Sequence, residues 1–201
     1  MTKGRLEAFS DGVIAILITI MVLELRAPDG ADWAALRPVL PHFLAYVLSF
    51  VYLGIYWNNH HHMLHAAQHV NGRVLWANLH LLFWLSLVPV STAWMAEHPT
   101  AALPAAVYGV TLLLPAIAYY LLQSSIIALE GRRSHLAAAV GRDHKGKLSP
   151  LLYAAAIGLA FVDRRIAFAL YVAVAVIWLV PDRRIEDRLE HHEKHLDTEH
   201  G

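Results

Sequence analysis

The chain has 201 residues, of which 57% are hydrophobic and only 16% charged, with 16 basic residues balancing 16 acidic ones. A soluble domain carries roughly 25% charged residues, so this composition, with a mean hydropathy of +0.44, reads as a membrane protein. With zero net charge nothing suggests a nucleic-acid partner, and the absence of cysteine excludes disulfides, thiolate metal sites and cysteine catalysis.

Six apolar segments predict an all-α fold of six transmembrane helices. The first covers 6–25 and ends at Ala-Pro-Asp-Gly, 27–30. Its uninterrupted apolar run after Asp11 is only roughly 18–20 Å long, whereas a bilayer core is about 30 Å thick. Arg5, Glu7, Asp11 and Glu24 therefore fall near or inside the hydrocarbon, where ionisable groups mark ion pathways or interhelical networks. Glu7 and Asp11 also interrupt what would be the apolar region of a signal peptide, so the segment reads as a retained span. Along it, Ile16, Ile20 and Leu23 form one stripe at i, i+4 and i+7, with Thr19 beside them. Taken alone, such a stripe fits core or lipid contact, and Thr19 fits a bond to its own helix backbone. Ser10 and Asp11 point sideways, towards neighbouring helices.

The second segment, 41–63, and the third, 74–95, supply the polar groups that a carboxylate at membrane depth requires. Candidate partners for Asp11 are Arg5, Ser10, Trp57, His60, His61, His80 and Asn78. The fourth segment covers 102–129, and a polar linker at 130–147 follows. The fifth and sixth, 150–162 and 166–180, are short and meet at a tight Asp163-Arg164-Arg165 turn. Pro89, Pro104 and Pro115 are expected to start or bend helices. Trp33, Trp57, Trp76, Trp94 and Trp178 lie near segment ends, as interfacial aromatics do, and Trp84 is mid-span.

With both termini cytoplasmic, only Arg26, Arg37, Arg164 and Arg165 among the 16 basic residues fall outside. That bias favours an even number of spans and a plasma (inner) membrane protein of the multi-pass type. The expected layout is a membrane domain at 1–182 and a polar cytosolic tail at 183–201.

Arg5-x-x-x-Phe9-Ser10-Asp11, followed by Gly-Val-Ile-Ala-Ile-Leu-Ile-Thr-Ile-Met-Val-Leu-Glu, resembles the first-helix signature of the transmembrane protein 175 family. The resemblance continues at Trp57-Asn58-Asn59-His60-His61, at Asn78 and in the six-span layout. It implies a potassium channel without the Thr-Val-Gly-Tyr-Gly filter of ordinary potassium channels, a sequence this chain also lacks. It further implies that first helices surround the pore and that Ile16, Ile20 and Leu23 form apolar rings, with Thr19 beside the first. Ile20 departs from the commoner leucine of the second ring. Arg5, Phe9, Ser10 and Asp11 then belong to the motif that locks this helix to the next two spans, with Trp57, His60 and Asn78 as partners. One motif copy per chain implies a homotetramer in the bilayer, with potassium as permeant ion and no cofactor. A modest preference over sodium is expected, since the larger ion sheds water more cheaply.

Two other classes compete. The 14 histidines include His60, His61, His62, His65 and His69, and the spacing of His61, His65 and His69 suits a divalent metal on one helix face. A divalent metal transporter is thus the alternative, although no carboxylate or cysteine joins the cluster and no inverted repeat is present. A membrane enzyme would need His135, Asp143 and His144 to complete a site, and no nucleophile or metal triad of recognisable spacing accompanies them.

Overall fold

A computed structural model describes residues 2–131, 134, 136–137 and 144–179. The tail from 183 onward lies outside these residues, as do His135 and Asp143. Among the described residues all regular structure is helical.

Helix α1, Lys3–Leu23, carries Arg5, Glu7 and Asp11 within its own turns. Its 21 residues extend about 31 Å, enough to cross a bilayer only with those groups included. A short 3-10 turn, Trp33–Leu36, interrupts the loop that follows, and Asp32 caps it by accepting from the Ala35 N–H at 3.0 Å. Helix α2, Leu40–Ala66, has Pro41 in its first turn, where a missing N–H costs nothing. Helix α3, Gly72–Leu85, starts at Asn71, whose side chain accepts from the Val74 N–H at 3.0 Å.

The third apolar segment, expected to be continuous, is broken. The chain turns at Ser86-Leu87 and resumes as α4, Val88–Glu97. Pro89 has no N–H to offer the Leu85 carbonyl, and the Ser86 hydroxyl donates to the Phe83 carbonyl at 2.6 Å, which stabilises the interrupted end. Helix α5, Ala102–Glu130, runs through Pro115. Helices α6, His144–Leu159, and α7, Arg164–Leu179, complete the bundle. α6 begins six residues before the expected boundary at Pro150, which lies inside it. At the α6–α7 turn the Asp163 carboxylate accepts from the Arg165 N–H at 2.8 Å, and Arg164 donates to the Pro99 carbonyl at 3.0 Å.

Counting α3 and α4 as one crossing gives six membrane-scale segments. Four of them, 3–23, 40–66, 72–97 and 102–130, are long and apolar enough to span a bilayer on that basis alone. α6 and α7 have 16 residues each, about 24 Å, and are short spans.

Two cores hold the bundle. One joins Leu6, Ile14, Leu17 and Met21 of α1 to Leu53 and Leu64 of α2, Leu81 and Leu85 of α3, and Leu122 and Ile126 of α5. The other packs Tyr52 of α2 and Tyr108 of α5 against Tyr153, Ala156, Tyr171 and Val174 of α6 and α7. Small residues let backbones approach closely there, as helices in lipid require. Gly109 is the tightest point. A methyl group at its Cα would overlap the Tyr171 hydroxyl and lie 2.7 Å from Ile157. That hydroxyl donates to the Ala105 carbonyl at 3.0 Å, so the contact is fixed from both sides.

Candidate functional site on the first helix

Helix α1 has two unlike faces. Leu6, Ser10, Ile14, Leu17 and Met21 are buried against the bundle. Arg5, Phe9, Gly12, Ile16, Thr19, Ile20 and Leu23 form the opposite, exposed stripe. Ile16 is 57% exposed, Ile20 42% and Leu23 79%. The Thr19 hydroxyl donates to the Ile16 carbonyl at 2.9 Å. Its hydrogen is thus committed to the helix, while its oxygen lone pairs remain outward on the stripe.

The inner face carries a buried polar chain. Asn78 of α3 donates through Nδ2 to the Ser10 hydroxyl oxygen at 2.9 Å, and Ser10 donates in turn to the Leu6 carbonyl at 2.8 Å. The Asn78 carbonyl oxygen lies 2.7 Å from Nε2 of His60 on α2. Since Asn78 Oδ1 can only accept, His60 bears its proton on Nε2. His60 Nδ1 is left as a buried lone pair without a partner among the described residues. Ser10, His60 and Asn78 are fully buried, so three helices are joined by groups that water cannot satisfy instead.

Beside this chain runs an antiparallel ladder between α1 and α2. Asp11 Oδ1 accepts from the Trp57 indole at 3.0 Å. One turn towards the N-terminus, Glu7 meets His61 Nδ1 at 3.1 Å. A further turn on, the Lys3 ammonium donates to the His65 carbonyl at 3.0 Å. Trp57 and His61 stack with ring centroids 6.2 Å apart, as do His61 and His65. Positions 3, 7 and 11 on one helix therefore match 65, 61 and 57 on the other, each series at the i, i+4 spacing of a single face.

Of the residues singled out in the sequence, Ser10, Asp11, Trp57, His60 and Asn78 meet at this junction. Arg5 does not; it is exposed on the open stripe and bonds to no described residue. Phe9 is also on that stripe, 48% exposed. His80 accepts from Trp84 at 2.8 Å and is not an Asp11 partner. The Glu7–His61 and Lys3–His65 rungs were not anticipated, although the repeated spacing of four in both segments is the signal that carries them.

The proposed metal ligands do not converge. α2 ends at Ala66, so His69 leaves the helix face that would hold His61 and His65. Instead the Gln68 and His69 N–H groups donate to the Glu130 carboxylate. Among the described residues no group of three or more His, Asp or Glu side chains is placed to hold a metal ion.

The fold and this junction define a polytopic helical membrane protein with its first helix pinned on one face and open on the other. The family model described as endosomal/lysosomal potassium channel TMEM175 matches residues 5–89, the stretch that contains the motif, the Glu7–His61 and Asp11–Trp57 rungs and Asn78. A potassium channel of a Chryseobacterium species is 54% identical over 190 residues, covering 94% of this chain and 99% of its own. A potassium channel of Streptomyces collinus is 33% identical, over 88% and 91% of the two chains. The crystal structure of a lysosomal potassium-selective channel TMEM175 homolog from Chamaesiphon minutus superposes with a TM-score of 0.76 at 30% identity, covering 89% of this chain and 96% of that one. The chain belongs to the TMEM175 family.

Proposed function

We propose that the protein is a potassium-permeable channel whose pore is enclosed by the first helices of four identical chains. The observation that carries this reading is the open stripe of α1: Ile16, Ile20 and Leu23 stay exposed while the opposite face is locked by buried polar bonds. Four such stripes around an axis cover one another and line a conduit, a closed cyclic arrangement of one repeated surface. The two bacterial relatives named as potassium channels support the choice of ion.

Branched alkyl rings supply no oxygen to replace a hydration shell. They pass an ion only when wide enough for it to keep much of its water, and they close by dewetting. Thr19, with lone pairs outward, adds a layer of oxygen contacts next to the Ile16 ring. Potassium, which sheds water more cheaply than sodium, is preferred modestly. The ladder and the buried chain fix the tilt of α1, so the bore is set by α2 and α3 rather than by the pore helix itself. The multi-pass arrangement lies in the plasma membrane with both ends of the chain cytoplasmic.

Flux from liposomes holding the purified protein tests this reading, with potassium, sodium, proton and zinc gradients compared. Potassium flux above sodium flux is expected. Zinc flux without potassium flux would establish the metal-transporter reading instead.

A further inference from the structure

Away from α1, on the opposite side of α2, the helices α2, α5, α6 and α7 leave an open-mouthed cavity. Its walls are unusually aromatic: Tyr52, Tyr56, Tyr120, Tyr153 and Trp178 all line it. Among the described residues no charged side chain does. Several of its polar groups are already committed. Tyr52 donates to the Tyr171 carbonyl at 2.5 Å, and Ser149 donates to the Lys145 carbonyl while accepting from the Trp178 indole, both at 2.8 Å.

Gln123 is the exception. Its side chain lines the cavity, is only 8% exposed, and bonds to no described residue. An amide has two donor hydrogens and an acceptor oxygen, and since neither the nitrogen nor the oxygen of Gln123 is among the polar atoms sealed away without a partner, the amide is open to the cavity. On the same cavity wall the Tyr56 hydroxyl makes no bond to a described residue, and Asn59 uses its Nδ2 on the Ile55 carbonyl at 2.8 Å, its oxygen having no partner among the described residues. Aromatic rings and an amide without a described partner, lining one cavity, match a flat molecule that has its own donor and acceptor.

We propose that this cavity is a binding site for an uncharged aromatic molecule bearing an amide or hydroxyl group, which stacks on the tyrosine and tryptophan rings and bonds to Gln123. Aromatic faces also attract organic cations. A cation here, however, would be desolvated with no carboxylate among the described lining residues to meet it, and would leave the Gln123 hydrogens unpaired. The site is separate from the α1 stripe and stands whether or not the channel reading does.

Photolabelling of the intact, membrane-reconstituted protein with the neutral amide 4-azidobenzamide tests it, with labelled residues mapped by mass spectrometry. Labels are expected on the cavity tyrosines and Trp178. An excess of benzamide is expected to suppress them, and benzyltrimethylammonium to leave them unchanged. Gln123→Leu, which keeps the shape and removes the amide, is expected to cut labelling at least about fivefold, the loss of a hydrogen-bonded anchor worth about 1 kcal/mol. Labels scattered over the outer helix faces, displacement by the cation but not by benzamide, or undiminished labelling of a folded Gln123→Leu protein would each overturn the proposal. Should that variant not fold, the benzamide and cation competitions on the unmodified protein decide the matter alone.

Discussion

Asn78 holds two helices with two different atoms, its carbonyl oxygen facing His60 and its amide facing Ser10. No apolar side chain of similar size replaces both. Asn78→Leu leaves a buried N–H on His60 and a hydroxyl oxygen on Ser10 without partners, at about 1–3 kcal/mol for each group. The expected result is a clear fall in the melting temperature of the detergent-solubilised protein. A melting temperature equal to the parent's would mean that the chain of bonds is dispensable. Asp11 differs, because its bond to Trp57 needs only an acceptor. Asp11→Asn should therefore assemble normally, whereas Asp11→Ala should lose expression or assembly on size-exclusion chromatography. Equal behaviour of the two variants would argue that the indole bond is not what fixes α1. At this scale the sequence was informative about chemistry: Ser10, Asp11, Trp57, His60 and Asn78 are recognisable as groups that cannot stay unpaired at membrane depth. It could not choose among seven candidates for Asp11, because the choice depends on the crossing of α1 and α2. Arg5 carries charge and motif membership, yet faces away from the junction.

The elements show where periodicity suffices and where it fails. Two-faced packing of α1 follows from its spacing of apolar residues, and the stripe at 16, 20 and 23 is uncovered as that spacing places it. The break at Ser86-Leu87 was legible only in part. Pro89 marked a helix start or a bend, but hydropathy runs on through 74–95 and hides the interruption, because the freed carbonyl end is satisfied locally by Ser86. The early start of α6 went unseen since its first turns, from His144, are polar and read as linker. His69 is the reverse case, in which a helical spacing was assumed beyond the last helical residue, Ala66. Packing that brings distant segments together leaves no local trace. Nothing around Gly109 announces that Tyr171 fills the space beside it. Gly109→Ala should consequently destabilise the bundle by about 1–3 kcal/mol, the usual cost of overpacking. Adding Tyr171→Phe, which removes the overlapping hydroxyl, should recover part of that loss. Thermal unfolding of the two single variants and the double variant measures the coupling, and strictly additive effects would contradict the contact.

For the whole molecule, one chain presents one open α1 stripe, so the proposed pore requires copies to meet. Two hydrophobic cores hold the bundle, and the open α1 face is where the assembly is proposed to form. Native mass spectrometry is expected to find four copies of the 22.4 kDa chain. A stable monomer that conducts would refute the shared pore. The fold class and the family were legible from composition and from the first 24 residues. The meeting of four chains is implied only through the resemblance, since a stripe of isoleucines facing lipid has the same spacing as one facing an axis.

The central claim is that potassium passes between the α1 stripes, at Ile16. The chain has no cysteine, so a thiol introduced by Ile16→Cys is unique in each copy and can be modified without background. Potassium flux through liposomes containing this variant, measured before and after a thiol-reactive quaternary ammonium reagent, tests the claim directly. The account predicts that modification abolishes most of the flux, while the same treatment of Val172→Cys, exposed on α7, leaves it intact. Undiminished flux through a fully modified Ile16→Cys protein would place the ion path elsewhere.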